Sequence, residues 1–169
     1  MLREDLRPMK SHLLSKAVLD EAFHCDGSLR DLYVPDASMD LWHQLFTFLQ
    51  RRSYRLSLYV DGTISELPGD VREVFALRDK ATPLLSVEVE GVTLNCHFFV
   101  EKEIELDFDP RQIAGVSQAN AILKFMLDLG RFLDKEVRMT EENAPDCVIF
   151  RFNVATQEIE YVSPGASGN

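Results

Sequence analysis

Three consecutive runs between Leu84 and Asp109 alternate apolar with polar side chains, and this pattern constrains the fold more than any other feature of the chain. A side-chain period of two belongs to a β-strand with one buried face and one wet face, and antiparallel sheets are the ones that leave a face to water. Leu84 to Glu90 and Val92 to Val100 meet at Gly91 and read as a hairpin, while Glu103 to Asp109 follows and stops at Pro110. Ile104, Leu106 and Phe108 must face the core, which turns Glu103, Glu105, Asp107 and Asp109 outward. The same rule turns Glu88, Glu90, Asn95 and His97 outward on the hairpin, so six carboxylates and one histidine share a sheet face.

Helical spacing alternates with further strands on either side of this block. Leu13, Leu14, Ala17, Val18 and Ala22 predict a short helix from about Ser11 to Phe23, and Leu29 to Val34 a strand that ends at Pro35-Asp36. Leu41, Trp42, Leu45, Phe46 and Leu49 form one stripe of a helix from Ser38 to Arg52, with Asp40 near its positive end and Arg51 and Arg52 near its negative end. Tyr54 to Val60 alternates as a strand, Asp61-Gly62 is a hairpin turn into Thr63 to Glu66, and Asp70 with Glu73 opens a short helix to Leu77. Ser117 to Leu133 is the second long amphipathic helix. Glu136 to Met139 is a short strand, Asn143-Ala144-Pro145 a loop, and Cys147 to Val154 with Glu158 to Val162 a last hairpin.

These elements predict an α+β fold: an antiparallel or mixed sheet with two long amphipathic helices packed on one face. Strand, Pro/Asp turn, long helix and strand occur at Leu29 to Val60 and again at Glu103 to Met139, which reads either as a weak internal β-α-β repeat or as two ordinary units of such a fold. Residues 1–162 are expected to form one domain, and 163–169, rich in small residues, a disordered tail.

A formal net charge of −10 and a pI near 4.8 argue against nucleic acid as a partner, because such a field repels phosphate. No apolar run approaches the roughly 18 residues of a membrane-spanning helix, and charges with Pro8 interrupt the first ten residues where a signal peptide would be apolar. A cytoplasmic location is expected. Cys25, Cys96 and Cys147 are odd in number and widely spaced, which speaks against a disulfide framework and against zinc.

His24-Cys25 and Cys96-His97 are the places where a nucleophile adjoins a base, yet Cys96 and His97 point to opposite faces of a strand. Cys96 is expected to be a small buried hydrophobe. Ser28, Ser57, Ser117 and Ser163 lie in no G-x-S-x-G context, and phosphate-binding glycine motifs are missing. The residues therefore favour a non-enzymatic binding or adaptor protein, of an immunity-like or regulatory kind. Glu88, Glu90, His97, Glu103, Glu105 and Asp107 would present an acidic face to a basic protein partner, with no cofactor. Two alternatives stay open: a metal-dependent or acid/base enzyme centred on His97, Glu88, Glu105 and Asp107, or a small-ligand domain with a cavity between helix and sheet.

Overall fold

A computed structural model describes residues 14–162. The expected tail at 163–169 and the first turn of the expected Ser11 to Phe23 helix lie outside them. Among the described residues four α-helices are present, α1 (Lys16–Ala22), α2 (Met39–Arg51), α3 (Val71–Leu77) and α4 (Val116–Leu133). The strands are β1 (Arg30–Val34), β2 (Arg55–Val60), β3 (Thr63–Ser65), β4 (Pro83–Val89), β5 (Val92–His97), β6 (Ile104–Phe108), β7 (Val137–Glu141), β8 (Ala144–Asn153) and β9 (Glu158–Tyr161). A 3-10 turn at Pro110–Gln112 leads from β6 towards α4.

The helices start where side chains can replace missing backbone partners. Ser15 and Ser38 accept the amides of Val18 and Leu41, and Asp70 accepts that of Arg72. Two hairpins turn on paired left-handed residues, Asp61-Gly62 and Glu90-Gly91, with φ of 50°, 77°, 48° and 84°. Such turns match the twist of the strands they join, and glycine takes the second position without strain.

All nine strands form one sheet in the order β3-β2-β4-β5-β6-β1-β7-β8-β9, and every neighbouring pair is antiparallel. Of the two sheet types expected, the antiparallel one is found. The two β-α-β segments close differently. After α2 the chain returns as β2, separated from β1 by three strands, whereas after α4 it returns as β7, separated from β6 by β1 alone. The hairpin expected after an Asn143-Ala144-Pro145 loop starts earlier, because Ala144 already pairs with Glu141. The ladder is irregular there, and an irregular ladder tolerates a proline that donates no hydrogen bond.

Burial alternates strictly along β4, β5 and β6, while β1 is buried at all five positions. Buried residues of all four helices and of the strands other than β3 belong to one hydrophobic cluster. Within it Trp42 is fully buried, lies edge-on to Phe75 at 5.0 Å and stacks on Phe98 at 5.3 Å. Its indole N–H, which must find an acceptor once buried, donates to the Glu101 carbonyl at 3.0 Å. α2 and α4 are also tied by charge: Asp128, 7% exposed, accepts from Arg52 at 3.1 Å and from Lys124 at 2.5 Å.

α4 approaches the sheet closely at Gly130, where an added Cβ would overlap ring carbons of Phe152. Gly130→Ala should therefore destabilise the protein by about 1 to 2 kcal/mol in urea unfolding, the overpacking cost exceeding the gain in helix propensity. Combining it with Phe152→Leu should cost less than the sum of the two single changes. An increase in stability for Gly130→Ala alone would contradict this packing.

Candidate functional site

The registers of β5, β6 and β1 assemble six polar side chains into one array. His97 lies opposite Glu105 and Asn95 opposite Asp107, while Glu105 and Asp107 lie opposite Tyr33 and Asp31. Leu94, Cys96, Leu106 and Leu32 alternate with them and are fully buried, so the array occupies the other face of the sheet. His97 Nε2 donates to Asp107 Oδ2 at 2.5 Å, and Asn95 Nδ2 donates to Asp107 Oδ1 at 3.1 Å. Asp31 is 3% exposed and accepts from the Tyr33 hydroxyl at 3.0 Å and from the Asn143 amide at 2.7 Å. Glu105 is half-buried and, among the described residues, has no hydrogen-bond partner.

Negative charge in this array is offset by no arginine or lysine. Among the described residues Asp31, Glu105 and Asp107 form no ion pair with either type, and Arg138 and Arg151 beyond β1 are taken by Glu136 and Glu160. Burial raises the pKa of Asp31, with the charges of Asp107 and Glu142 adding to it against the hydrogen bonds from Asn143 and Tyr33. Burial also raises that of Glu105, helped by Asp31, Glu103 and Asp107 against the opposing charge of His97. The Tyr33 hydroxyl is pushed up by burial and by its bond to Asp31. For His97 burial works against the charged form, but the bond to Asp107 and the charges of Asp107, Glu105 and Asp31 outweigh it, and its pKa is raised.

The residues expected on this face are not all neighbours. Glu105, Asp107 and His97 come together. Glu88 pairs across the ladder with Thr93, whose hydroxyl it accepts at 2.6 Å, while His97 pairs with Leu84. Four residues of strand, about 13 Å, separate Glu88 from His97 along the ladder. Glu90 sits in the β4–β5 turn, and Glu103 is half-buried just before β6. Asp109 caps the 3-10 turn and pairs with Arg111. Asp31 and Tyr33 join the array without having been singled out by the sequence. Their signal was an aspartate inside a short apolar strand, a placement that asks for buried donors.

Cys96 is fully buried between Leu85 and Leu106, and burial first, then the charges of Asp107 and Glu105, push its thiol far up. His24 and the exposed Cys25 line an open groove of about 400 Å³ with Leu19, Phe23, Ile113 and Gly115. Neither Cys25 with His97 nor Cys96 with His24 makes a hydrogen bond among the described residues. No three histidine, cysteine, aspartate or glutamate side chains among those residues are placed to hold a metal ion, so the metal-centred alternative finds no donor set there. No helix among them is long and apolar enough to cross a membrane. Compared with known proteins, the chain matches no family model, no curated protein and no solved structure.

Two outcomes follow from this geometry. In the native protein a thiol reagent should modify Cys25 and Cys147 quickly, and Cys96 only on unfolding, with Cys96→Ser costing about 1 to 2 kcal/mol. Rapid loss of all the free thiols under native conditions would contradict a buried Cys96.

The second outcome concerns pH. The raised pKa of His97 gives stability that is complete below its unfolded value and is lost as pH climbs through the folded one. Asp31 and Glu105, also raised, bind protons more readily folded than unfolded, so stability again falls as pH rises through the window above their ordinary values. Asp26, Asp70 and Asp109 are lowered, so what they contribute is lost only at more acidic pH. The Tm should therefore rise as pH is lowered from about 8 to about 5, and Glu105→Gln should flatten that rise. A Tm that falls over this range would contradict the arrangement.

Proposed function

We propose that this protein is a non-catalytic binding or adaptor protein, in which the helices pack on one face of the sheet and the opposite, acidic face takes a basic protein partner. The observation that carries the reading is the negative charge of Asp31, Glu105 and Asp107 on adjacent strands, met by His97 at Asp107 but by no arginine or lysine among the described residues. Glu105 makes no hydrogen bond or ion pair among the described residues that would repay its half-burial, and burial with the neighbouring carboxylates raises its pKa. A partner's cations would relieve the repulsion, and the attraction would also speed encounter at low salt. Enzymatic use of the His97–Asp107 pair is supported less well, because no serine, cysteine or threonine hydroxyl or thiol meets His97 among the described residues.

A small-ligand reading keeps one specific support, the groove lined by His24 and Cys25. It lies between the end of α1 and the segment leading into α4, not between helix and sheet.

Glu103 and Glu105 make no hydrogen bond or ion pair among the described residues, whereas Asp107 is held by Asn95 and His97. The informative variant is therefore Glu103→Gln/Glu105→Gln, which should leave the Tm unchanged or slightly raised at neutral pH. Proteins captured by the wild type from its native cell should be basic, should be released as salt rises, and should bind the variant several-fold more weakly. Equal capture by both would overturn the proposal, and a large loss of stability would show that these carboxylates serve the fold.

A further inference from the structure

We propose that Phe99 is a stacking platform for an arginine side chain of the basic partner, an inference that rests on the acidic-face reading above. The loop between β5 and β6 places two large apolar side chains in water side by side, Phe99 at 56% exposure and Val100 at 49%. This exposure is not a consequence of a loose loop. Arg78 Nη1 donates to the Phe99 carbonyl at 2.5 Å and to that of Phe98 at 3.4 Å. The Trp42 indole holds the Glu101 carbonyl, and the Ala37 amide donates to that of Lys102 at 2.7 Å. Phe98 is 2% exposed and stacks on Trp42, so the next ring is turned outward by an anchored backbone.

Phe99 is also fixed as a plane. It lies parallel to the His97 imidazole, with ring centroids 4.7 Å apart and 7° between planes, so one of its faces is covered and the ring keeps its orientation. His97 is opposite Glu105 in the ladder, which puts Phe99 at the end of the array where Glu103 precedes β6. Glu101 and Glu103 lie in the loop and Glu105 near the start of the adjoining strand, against Lys102 in the loop and Arg78, whose guanidinium is turned to the Phe98 and Phe99 carbonyls. A guanidinium is planar, stacks on an aromatic face and forks onto carboxylates, whereas a lysine ammonium is a strongly hydrated point charge. An open ring beside unpaired carboxylates thus favours arginine over lysine, and Val100 offers contact to the aliphatic stem.

The test compares labelled oligo-arginine and oligo-lysine peptides of equal length by fluorescence anisotropy against the whole chain. Wild type should bind oligo-arginine about two- to fivefold more tightly than oligo-lysine. Phe99→Leu, an exposed change that keeps apolar bulk, should abolish that preference and leave oligo-lysine affinity unchanged. Glu103→Gln/Glu105→Gln should weaken both peptides. If both peptides bind equally, or the preference survives Phe99→Leu, the stacking role is overturned while the acidic face stands. If neither peptide binds wild type, or the double variant binds both as well as wild type does, the acidic-face reading fails and this inference with it.

Discussion

Taking a carboxylate out of water costs several kcal/mol unless donors replace the lost hydration. Asp31 sits in the one strand of this sheet buried along its whole length, and it obtains those donors from the Asn143 amide and the Tyr33 hydroxyl. Asn143 belongs to the turn between β7 and β8, so a buried charge in β1 fastens that hairpin to the centre of the sheet. Glu142 in the same turn accepts the Leu29 amide at 3.0 Å, just before β1, and adds a second link. Polar chemistry thus does on one face what Leu32 and Val34 do on the other. Asp31 also adds to what raises the pKa of Glu105, after burial, and of His97, after Asp107 and Glu105.

Much of the local structure was legible in the sequence because it depends on neighbours along the chain. Alternation from Leu84 to Asp109 specified β4, β5 and β6 and the side on which each residue falls. Ser38 and Asp70 marked helix starts by their side-chain oxygens, and Asp61-Gly62 marked a hairpin by its backbone freedom. The order of strands was not legible. That β1 lies between β6 and β7 is decided by pairings across about half the chain, for which no local pattern carries information. The candidate site inherited this division. Glu105, Asp107 and His97 were placed correctly on one face, but Glu88 and Glu90 were grouped with them because alternation fixes the face and says nothing of position along the ladder. Asp31 and Tyr33 were missed for the converse reason: their face depends on which strands flank β1.

The polar face divides by charge in a way that only the strand order creates. Among the described residues β5, β6 and β1 contribute carboxylates with no arginine or lysine partner, His97 alone pairing with Asp107, while β7, β8 and β9 contribute Arg138 and Arg151, each matched to a glutamate of its own neighbourhood. Matched pairs at the surface contribute little attraction to a third body. Unmatched carboxylates on adjacent strands add their fields, and the half-buried setting of Glu105 and Asp107 screens them less than free solvent would. The attractive half is therefore narrow, about three strands wide, and close to 15 Å across.

The core and the exposed loop are one mechanical unit. Trp42 fills the interior, but its indole N–H cannot be buried without an acceptor, and the acceptor it uses is a carbonyl of the β5–β6 loop. Phe98 stacks on that same indole, and Arg78 lies over the ring of Phe75 while holding the carbonyls of Phe98 and Phe99. An aromatic cluster that exists to bury α2 and α3 thereby fixes the backbone from which Phe99 projects. Rigidity at an exposed aromatic lowers the entropy lost when a partner orders it, which separates an anchoring residue from an incidental hydrophobe. The stiffness of the loop and the charge of the adjoining strands arise from different residues on opposite faces of the sheet. They meet at His97, bonded to Asp107 on one side and stacked against Phe99 on the other.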